Sequence, residues 1–336
     1  MVDNILVIAC MKDEGPYILE WVAYHRSIGV TDFVVITNDC SDGTDRILDR
    51  LDTLGWVRHM PNPSMLGIPG APIQHVAIAY AQMTKEFRRA DWVLIIDADE
   101  YLNIKVGTGT IDELLAKVGD IDAISFNQVV FGSSGIVDLV DEPTLRQFRH
   151  RFKFDIPMRA NFPRMYGIKT LARNDGKLFR RHANHRPIPF PRTRTQLRWV
   201  DGAGIGMQEE FLSKLPRGHR TEAGTHALGY VNHYAVRSAQ SFIVQSFRGD
   251  AVSASIRRDV DYWRQYDRNE VEDTTILPMA DRADEVRRLL LQDEELNRLH
   301  EAAARYHQER VTVGLKNADV RKLYDAVLAS VNNSRD

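Results

Sequence analysis

Three carboxylates fall within four residues where an apolar run ends: Asp97, Asp99 and Glu100 follow the stretch 92–96, Trp-Val-Leu-Ile-Ile. The run carries β-branched residues without polar alternation, which predicts a strand buried on both faces of a parallel sheet. Acids crowded at the end of such a strand repel one another unless a cation or ordered hydrogen-bond donors compensate them. A divalent metal is the obvious compensator. In an extended chain Asp97 and Asp99 point to the same side, and oxygen ligands suit Mg2+ or Mn2+, which complete their shells with substrate phosphates and water. The competing reading is an Asp-rich turn that caps the next helix. Two more loops carry acids after apolar runs: Lys12-Asp13-Glu14 after 5–9, and Asn38-Asp39-Cys40-Ser41-Asp42 after 33–37. In an open α/β sheet ligands bind beyond the carboxyl ends of the strands, so three such ends predict a site there.

The elements that must position these acids alternate along the chain. Ile18, Trp21, Val22, His25 and Ile28 recur at three- and four-residue steps, and Gly29 stops the helix where a left-handed cap fits. His25, on that apolar face, reads as a core histidine. Ile47, Leu48, Leu51 and Leu54 mark a second helix, which Ser41 or Asp42 can cap. A short strand at 56–59, a Pro- and Gly-containing loop at 61–72 long enough to cover a site, and a helix over 73–87 lead into the acidic strand. This alternation predicts βαβ units and a largely parallel sheet with helices on both faces.

The composition bounds the partners. With 336 residues, 43% of them hydrophobic, the chain can bury the core of one large domain or of a domain with an appendage. Its 44 basic and 46 acidic residues give a net charge of −2, so nothing global drives it onto nucleic acid or an anionic membrane. Asp3 and the 12–14 charges interrupt the only short apolar run near the amino terminus, and no 18-residue apolar stretch follows. A cytoplasmic protein without a transmembrane segment is expected. Cys10 and Cys40 are too few for a disulfide framework and are expected as free thiols.

Taken together, Lys12-Asp13-Glu14, Glu20-Trp21-Val22-Ala23-Tyr24-His25, the loop at 38–44 and Asp97-Ala98-Asp99-Glu100-Tyr101 resemble the GT-A nucleotide-sugar glycosyltransferases. The pattern is that of the family 2-like group that also resembles family 92. It is clearest over residues 5–104 and continues more weakly at 126–127, 131–135 and 232–234. The resemblance implies a Rossmann-like α/β GT-A domain over 1–238, with a nucleotide-binding half at 1–104 and an acceptor half at 105–238, and a helical extension over 239–336. It implies metal-dependent transfer of a sugar from a nucleoside diphosphate donor, such as a UDP-sugar, to a hydroxyl of a carbohydrate or glycoconjugate, as in polysaccharide synthesis. Asp13 and Asp39 would touch the nucleoside, in a donor site shared with Lys12, Glu14, Asn38, Asp42 and Asp97. Asp97 and Asp99 would hold the metal, Mn2+ or Mg2+, and the diphosphate. The downstream acidic pair that supplies a base in many inverting members has no clear copy; Glu209, Glu210 and Asp201 are the candidates. Two rivals use the same residues: a nucleotidyl- or phosphotransferase, and a non-catalytic nucleotide- or carbohydrate-binding module.

The second half adds three features. Phe131-Gly132-Ser133-Ser134-Gly135 either brings backbone N–H groups to a sugar or phosphate or forms a surface turn. Six arginines between 180 and 198 either neutralise a diphosphate or an acidic acceptor or solubilise a loop. The apolar stretch 227–231 reads as a strand delivering His233 to the functional edge, where a neutral imidazole can join carboxylates around Mn2+; the alternative is a structural hydrogen bond. Past Ser238 the periodicity is that of amphipathic helices, which pack either on the domain or on a second copy as a homo-oligomer. Their residues carry no recognisable chemistry.

Overall fold

The expected four strands with helices between them open the chain: β1 (Ile5–Met11), α1 (Ile18–Ser27), β2 (Asp32–Thr37), α2 (Thr44–Thr53), β3 (Arg58–Pro61), α3 (Ile73–Ala81), α4 (Lys85–Arg89) and β4 (Trp92–Ile95). The structure is a computed structural model and describes residues 3–63, 72–154, 167–207, 226–247 and 258–333. Most of the expected covering loop, 64–71, and the base candidates Glu209 and Glu210 lie outside the described residues. The single helix expected over 73–87 is two, because Thr84 accepts a hydrogen bond from the Phe87 N–H and starts a new helix. Gly29 has φ +107°, the left-handed cap read from the sequence. His25 is fully buried, with Nδ1 on the Trp21 carbonyl at 2.9 Å, and burial pushes it down to about 4, as befits a core histidine.

There follow β5 (Glu100–Ile104), α5 (Ile111–Val118), β6 (Ala123–Val130), α6 (Thr144–Gln147), β7 (His150–Arg151), β8 (Ile168–Arg173), β9 (Phe179–Arg181), β10 (Ile188–Pro189), β11 (Trp199–Asp201) and β12 (Gly229–His233). The described strands build one main sheet in the order β3-β2-β1-β4-β8-β6-β12-β5, with β11 beside β6. β1 runs parallel to β2 and β4, β2 to β3, and β6 to β11 and β12. The sheet is therefore mostly parallel, but β8 enters antiparallel between β4 and β6, and β5 is antiparallel to β12. That insertion matters for the site. An antiparallel strand starts where its parallel neighbours end, so Ile168 and Lys169 sit at the carboxyl edge of β4.

The chain closes with α7 (Ala239–Phe247), α8 (Val260–Tyr266), β13 (Val271–Glu272), α9 (Leu277–Leu290), α10 (Glu294–Gly314) and α11 (Ala318–Asn333). Of the two expectations for these helices, packing on the domain is what the structure shows. Met279, Ala280 and Ala283 of α9 and Leu296, Leu299 and Ala303 of α10 share one core with Trp21, Tyr24 and the strands. Gly15 makes the closest approach possible: a Cβ there would stand 2.6 Å from the Ala303 Cβ. Among the described residues no helix is long and apolar enough to cross a membrane.

Candidate active site

The acidic turn is fixed from three sides. The Trp21 indole N–H donates to the carbonyls of Asp97 (3.1 Å) and Glu100 (3.2 Å), and the Tyr24 hydroxyl to that of Leu102 (2.8 Å). The Tyr234 N–H donates to the Asp99 carbonyl at 2.8 Å. Glu20 works one layer out: its carboxylate accepts from the Thr144 and Leu145 N–H groups at 2.8 and 3.0 Å and so caps the start of α6. The apolar periodicity of α1 thus carries a second message, since its polar tips hold the backbone of the turn and of β5.

Each carboxylate of the turn has a protein cation. Lys169, with no solvent exposure, places Nζ 2.8 Å from Asp97 Oδ2, 3.0 Å from Glu100 Oε2 and 2.8 Å from Asn184 Oδ1. Burial opposes its charge, yet Asp97 and Glu100 outweigh burial and push the ammonium up to about 12. Gln74 Nε2 takes Asp97 Oδ1 at 2.9 Å, and Glu100 also accepts from the Asp97 N–H (2.8 Å) and from the Gln128 side chain. Burial raises the Glu100 carboxyl, with Lys169 pulling the other way. For Asp97 and Glu100 this lysine supplies a cation from the protein itself.

Asp99 faces His233 instead. Strand register decides the pairing: β12 delivers His233 opposite Glu100, and Nε2 lies 3.6 Å from Asp99 Oδ2. Burial would raise the Asp99 carboxyl, but His233, with Arg237 and Arg258 behind it, holds it well below the usual carboxylate range. Burial disfavours the His233 cation, and Asp99 with the other two acids pushes it back up past its ordinary value. Among the described residues no three His, Cys, Asp or Glu side chains converge as a metal-holding group. Asp99 and His233 nevertheless offer one oxygen and one imidazole nitrogen, each side chain 16% exposed. That donor pair fits a cation whose shell is completed by substrate phosphates and water.

Beside this turn, at the ends of β1 and β2, the loops are strained. Asp13 and Asp39 take φ of +51° and +53°, a region that non-glycine residues seldom occupy and that gathers at ligand sites. Asp13 Oδ1 accepts from the Ser41 N–H at 2.6 Å and from Ser41 Oγ at 3.2 Å, joining the two loops. Lys12 Nζ lies 3.4 Å from Asp39 Oδ2, whose side chain is 77% exposed. Lys12, Asp13, Asp39, Cys40 and Ser41 line a cleft of about 340 Å3, together with Val244 and, from α10, Tyr306, His307 and Arg310. Glu14, Asn38 and Asp42, also expected around the donor, are buried in protein contacts. Glu14 pairs with Arg237 at 3.1 Å, and that guanidinium lies 3.6 Å from the Tyr17 ring centre and donates to the Ala98 carbonyl, which ties this loop to the acidic turn. Asp42 accepts from the Gly15 and Thr44 N–H groups and meets His307 Nε2 at 2.8 Å. The expected side-chain cap is not formed: Gly43 takes the N-cap position, and Asp42 reaches only the Thr44 N–H from one residue before it. Asn38 continues the ladder by donating its N–H to the Met11 carbonyl.

Several readings fall elsewhere. Asp201 caps its own turn through the Ala203 and Ile205 N–H groups. Its strand lies three positions from β4, about 14 Å at ~4.8 Å per strand. Ser133 and Ser134 donate their N–H groups to Asp267 and Asn269, so the 131–135 segment is a structural turn. In the basic stretch Arg198 is taken by Asp120 and Asp122, while Arg186 lies over Trp199. Cys10 and Cys40 are free thiols, both pushed up to about 12, chiefly by burial. Lys169 and the α10 side chains were missed by sequence reasoning. A lone lysine inside the strand Ile168–Arg173 was the available signal for the first; nothing local marks the second.

β1 and β4 are the adjacent strands at which the order of the sheet reverses, the switch point where α/β sheets bind ligands. Acids gather at that point and on the neighbouring β2 end of a mostly parallel sheet, the strand-end arrangement that the GT-A resemblance implies. Residues 7–158 match the family model described as glycosyltransferase family 92. A stretch of 112 residues is 24% identical to a glycosyltransferase family 92 protein of Oryza sativa subsp. japonica, covering 33% of this chain and 18% of that protein. One of 104 residues is 24% identical to a family 92 protein of Ricinus communis, covering 31% and 18%. The chain thus matches less than a fifth of the length of these relatives. Among solved structures, S. aureus TarS 1–349 aligns with TM-score 0.34 and 11% identity over 99% of this chain and 91% of that one. M. tuberculosis glucosyl-3-phosphoglycerate synthase aligns with TM-score 0.25 and 16% identity over 36% and 43%.

Proposed function

We propose that this protein transfers a sugar from a nucleoside diphosphate donor to a hydroxyl acceptor, with Mn2+ or Mg2+ held at Asp99 and His233. The observation that carries the reading is the meeting of the β1, β2 and β4 ends, which gathers Asp13, Asp39 and the 97–99 turn on one edge. Asp13 and Asp39 are acceptors suited to the N–H and O–H groups of a nucleoside, and Lys12 adds a cation beside them. Lys169 pairs with Asp97 and Glu100 and fixes both side chains, while Trp21 and Tyr234 hold the turn rigid against the pull of a bound anion. A bound divalent cation would neutralise charge on the leaving diphosphate. Binding to the native state raises apparent stability, so a thermal-shift panel of nucleoside diphosphates with and without Mn2+ tests the assignment. Asp99→Asn should remove the Mn2+-dependent part of the shift and keep the folded circular-dichroism spectrum, with the apo unfolding temperature lowered by loss of the His233 pair. Unchanged metal dependence in that variant refutes the metal assignment. Donor breakdown to sugar and nucleoside diphosphate, rather than pyrophosphate or free phosphate, separates glycosyl transfer from the nucleotidyl- and phosphotransferase alternatives.

A further inference from the structure

Helix α10 lies beyond the family-matched residues, yet it forms a wall of the strand-end cleft. Its buried stripe, Leu296, Leu299, Ala303, His307 and Val311, runs at three- and four-residue steps against the domain. Tyr306 and Arg310 stand four residues apart beside that stripe, so they share a face, and both are partly exposed at the cleft. Three ties fix the helix there. Arg50 pairs with Asp293 at its amino end (2.5 Å), His307 meets the buried Asp42 carboxylate (2.8 Å), and the Tyr306 hydroxyl donates to Ser41 Oγ (3.1 Å). Ser41 in turn donates to Asp13, so α10 is joined by hydrogen bonds to the strained end of β1.

We infer that Tyr306 and Arg310 are donor-binding residues, the ring offering its face to the nucleobase and the guanidinium its charge to the diphosphate. The inference rests on reading this cleft as the donor site. The wall chemistry is that of a nucleoside diphosphate pocket: an aromatic surface for the base, Asp13 and Asp39 for hydroxyl and N–H donors, and Lys12 with Arg310 for the phosphates. The arrangement assigns the carboxyl-terminal helices a direct part in substrate recognition.

The test measures UDP, GDP and ADP affinity by calorimetry on the full chain carrying Tyr306→Ala, Tyr306→Phe or Arg310→Gln, with circular dichroism as the check on folding. For the nucleotide that wild type binds, Tyr306→Ala should weaken affinity about fivefold, the scale of an aromatic contact, while Tyr306→Phe keeps the ring and stays near wild type. Arg310→Gln should weaken affinity about tenfold, the scale of a hydrogen bond to a charged group. Should Tyr306→Ala fail to fold, Arg310→Gln decides. If wild type binds a nucleotide and the folded variants bind it equally well, the inference is overturned while the glycosyltransferase reading stands. If wild type binds none, the reading of the cleft falls and the inference with it.

Discussion

Replacing Lys169 by methionine removes the cation that Asp97 and Glu100 share while roughly preserving volume. Glu100 is only 1% exposed and Asp97 31%, so water can reach the second carboxylate but not the first. Leaving one buried charge of a pair without its partner costs about 3–5 kcal/mol. Partial access to Asp97 places the expected loss at the lower end, about 3 kcal/mol of a total stability on the order of 5–15 kcal/mol. The pH dependence has a definite sign. Burial already holds the Glu100 carboxyl above its ordinary value, and losing Lys169 raises it further. Between the raised folded value and the ordinary carboxylate value the folded variant holds a proton that the unfolded chain releases, so its stability rises as pH falls through that window. Urea unfolding at pH 8 and pH 5 reads both effects: a deficit of about 3 kcal/mol at pH 8 that shrinks at pH 5. The double variant Lys169→Met, Glu100→Gln should recover part of the loss at pH 8. A deficit below about 1 kcal/mol at pH 8, the range of an exposed pair, would refute the role given to Lys169. An equal deficit at both pH values would remove Glu100 from the explanation.

Two further outcomes follow from particular contacts. Asp273, 4% exposed, opposes its burial penalty with bonds from Tyr230, Arg151 and Thr275, which hold it down to about 2; a depressed carboxylate stabilises above its unfolded value, so about 2 kcal/mol present at neutral pH should vanish as pH falls from about 4 to 2. Asp273→Asn should accordingly be less stable than wild type at pH 7 and converge with it near pH 2 in chemical denaturation; a constant gap would be the contrary result. Gly229 starts the strand that carries His233, and a Cβ there would meet the Asn103 carbonyl oxygen at 2.7 Å. Gly229→Ala should cost about 1–3 kcal/mol and weaken Mn2+-dependent nucleotide binding by displacing β12, whereas wild-type unfolding and binding would show that the strand tolerates the methyl group.

The alternation of apolar runs with amphipathic helices determined the strand–helix units of residues 5–95, because burial on both faces of a strand and on one face of a helix writes directly into local periodicity. The acids at the strand ends and the core placement of His25 were legible for the same reason: type and spacing along the chain fix which end of an element they occupy. The tertiary structure decided everything that depends on distant pairing. That Lys169 meets Asp97 and Glu100 was set by β8 entering antiparallel 72 residues later, a direction no local pattern encodes. Which of the expected donor residues face a cleft and which are buried followed from where α10 packs. Asp42 and Asp39 stand in one loop and look alike in sequence, yet His307, 265 residues away, takes the first and leaves the second exposed. Local physics fixes the secondary elements, but the partner of a charge is chosen by contacts between segments far apart in the chain.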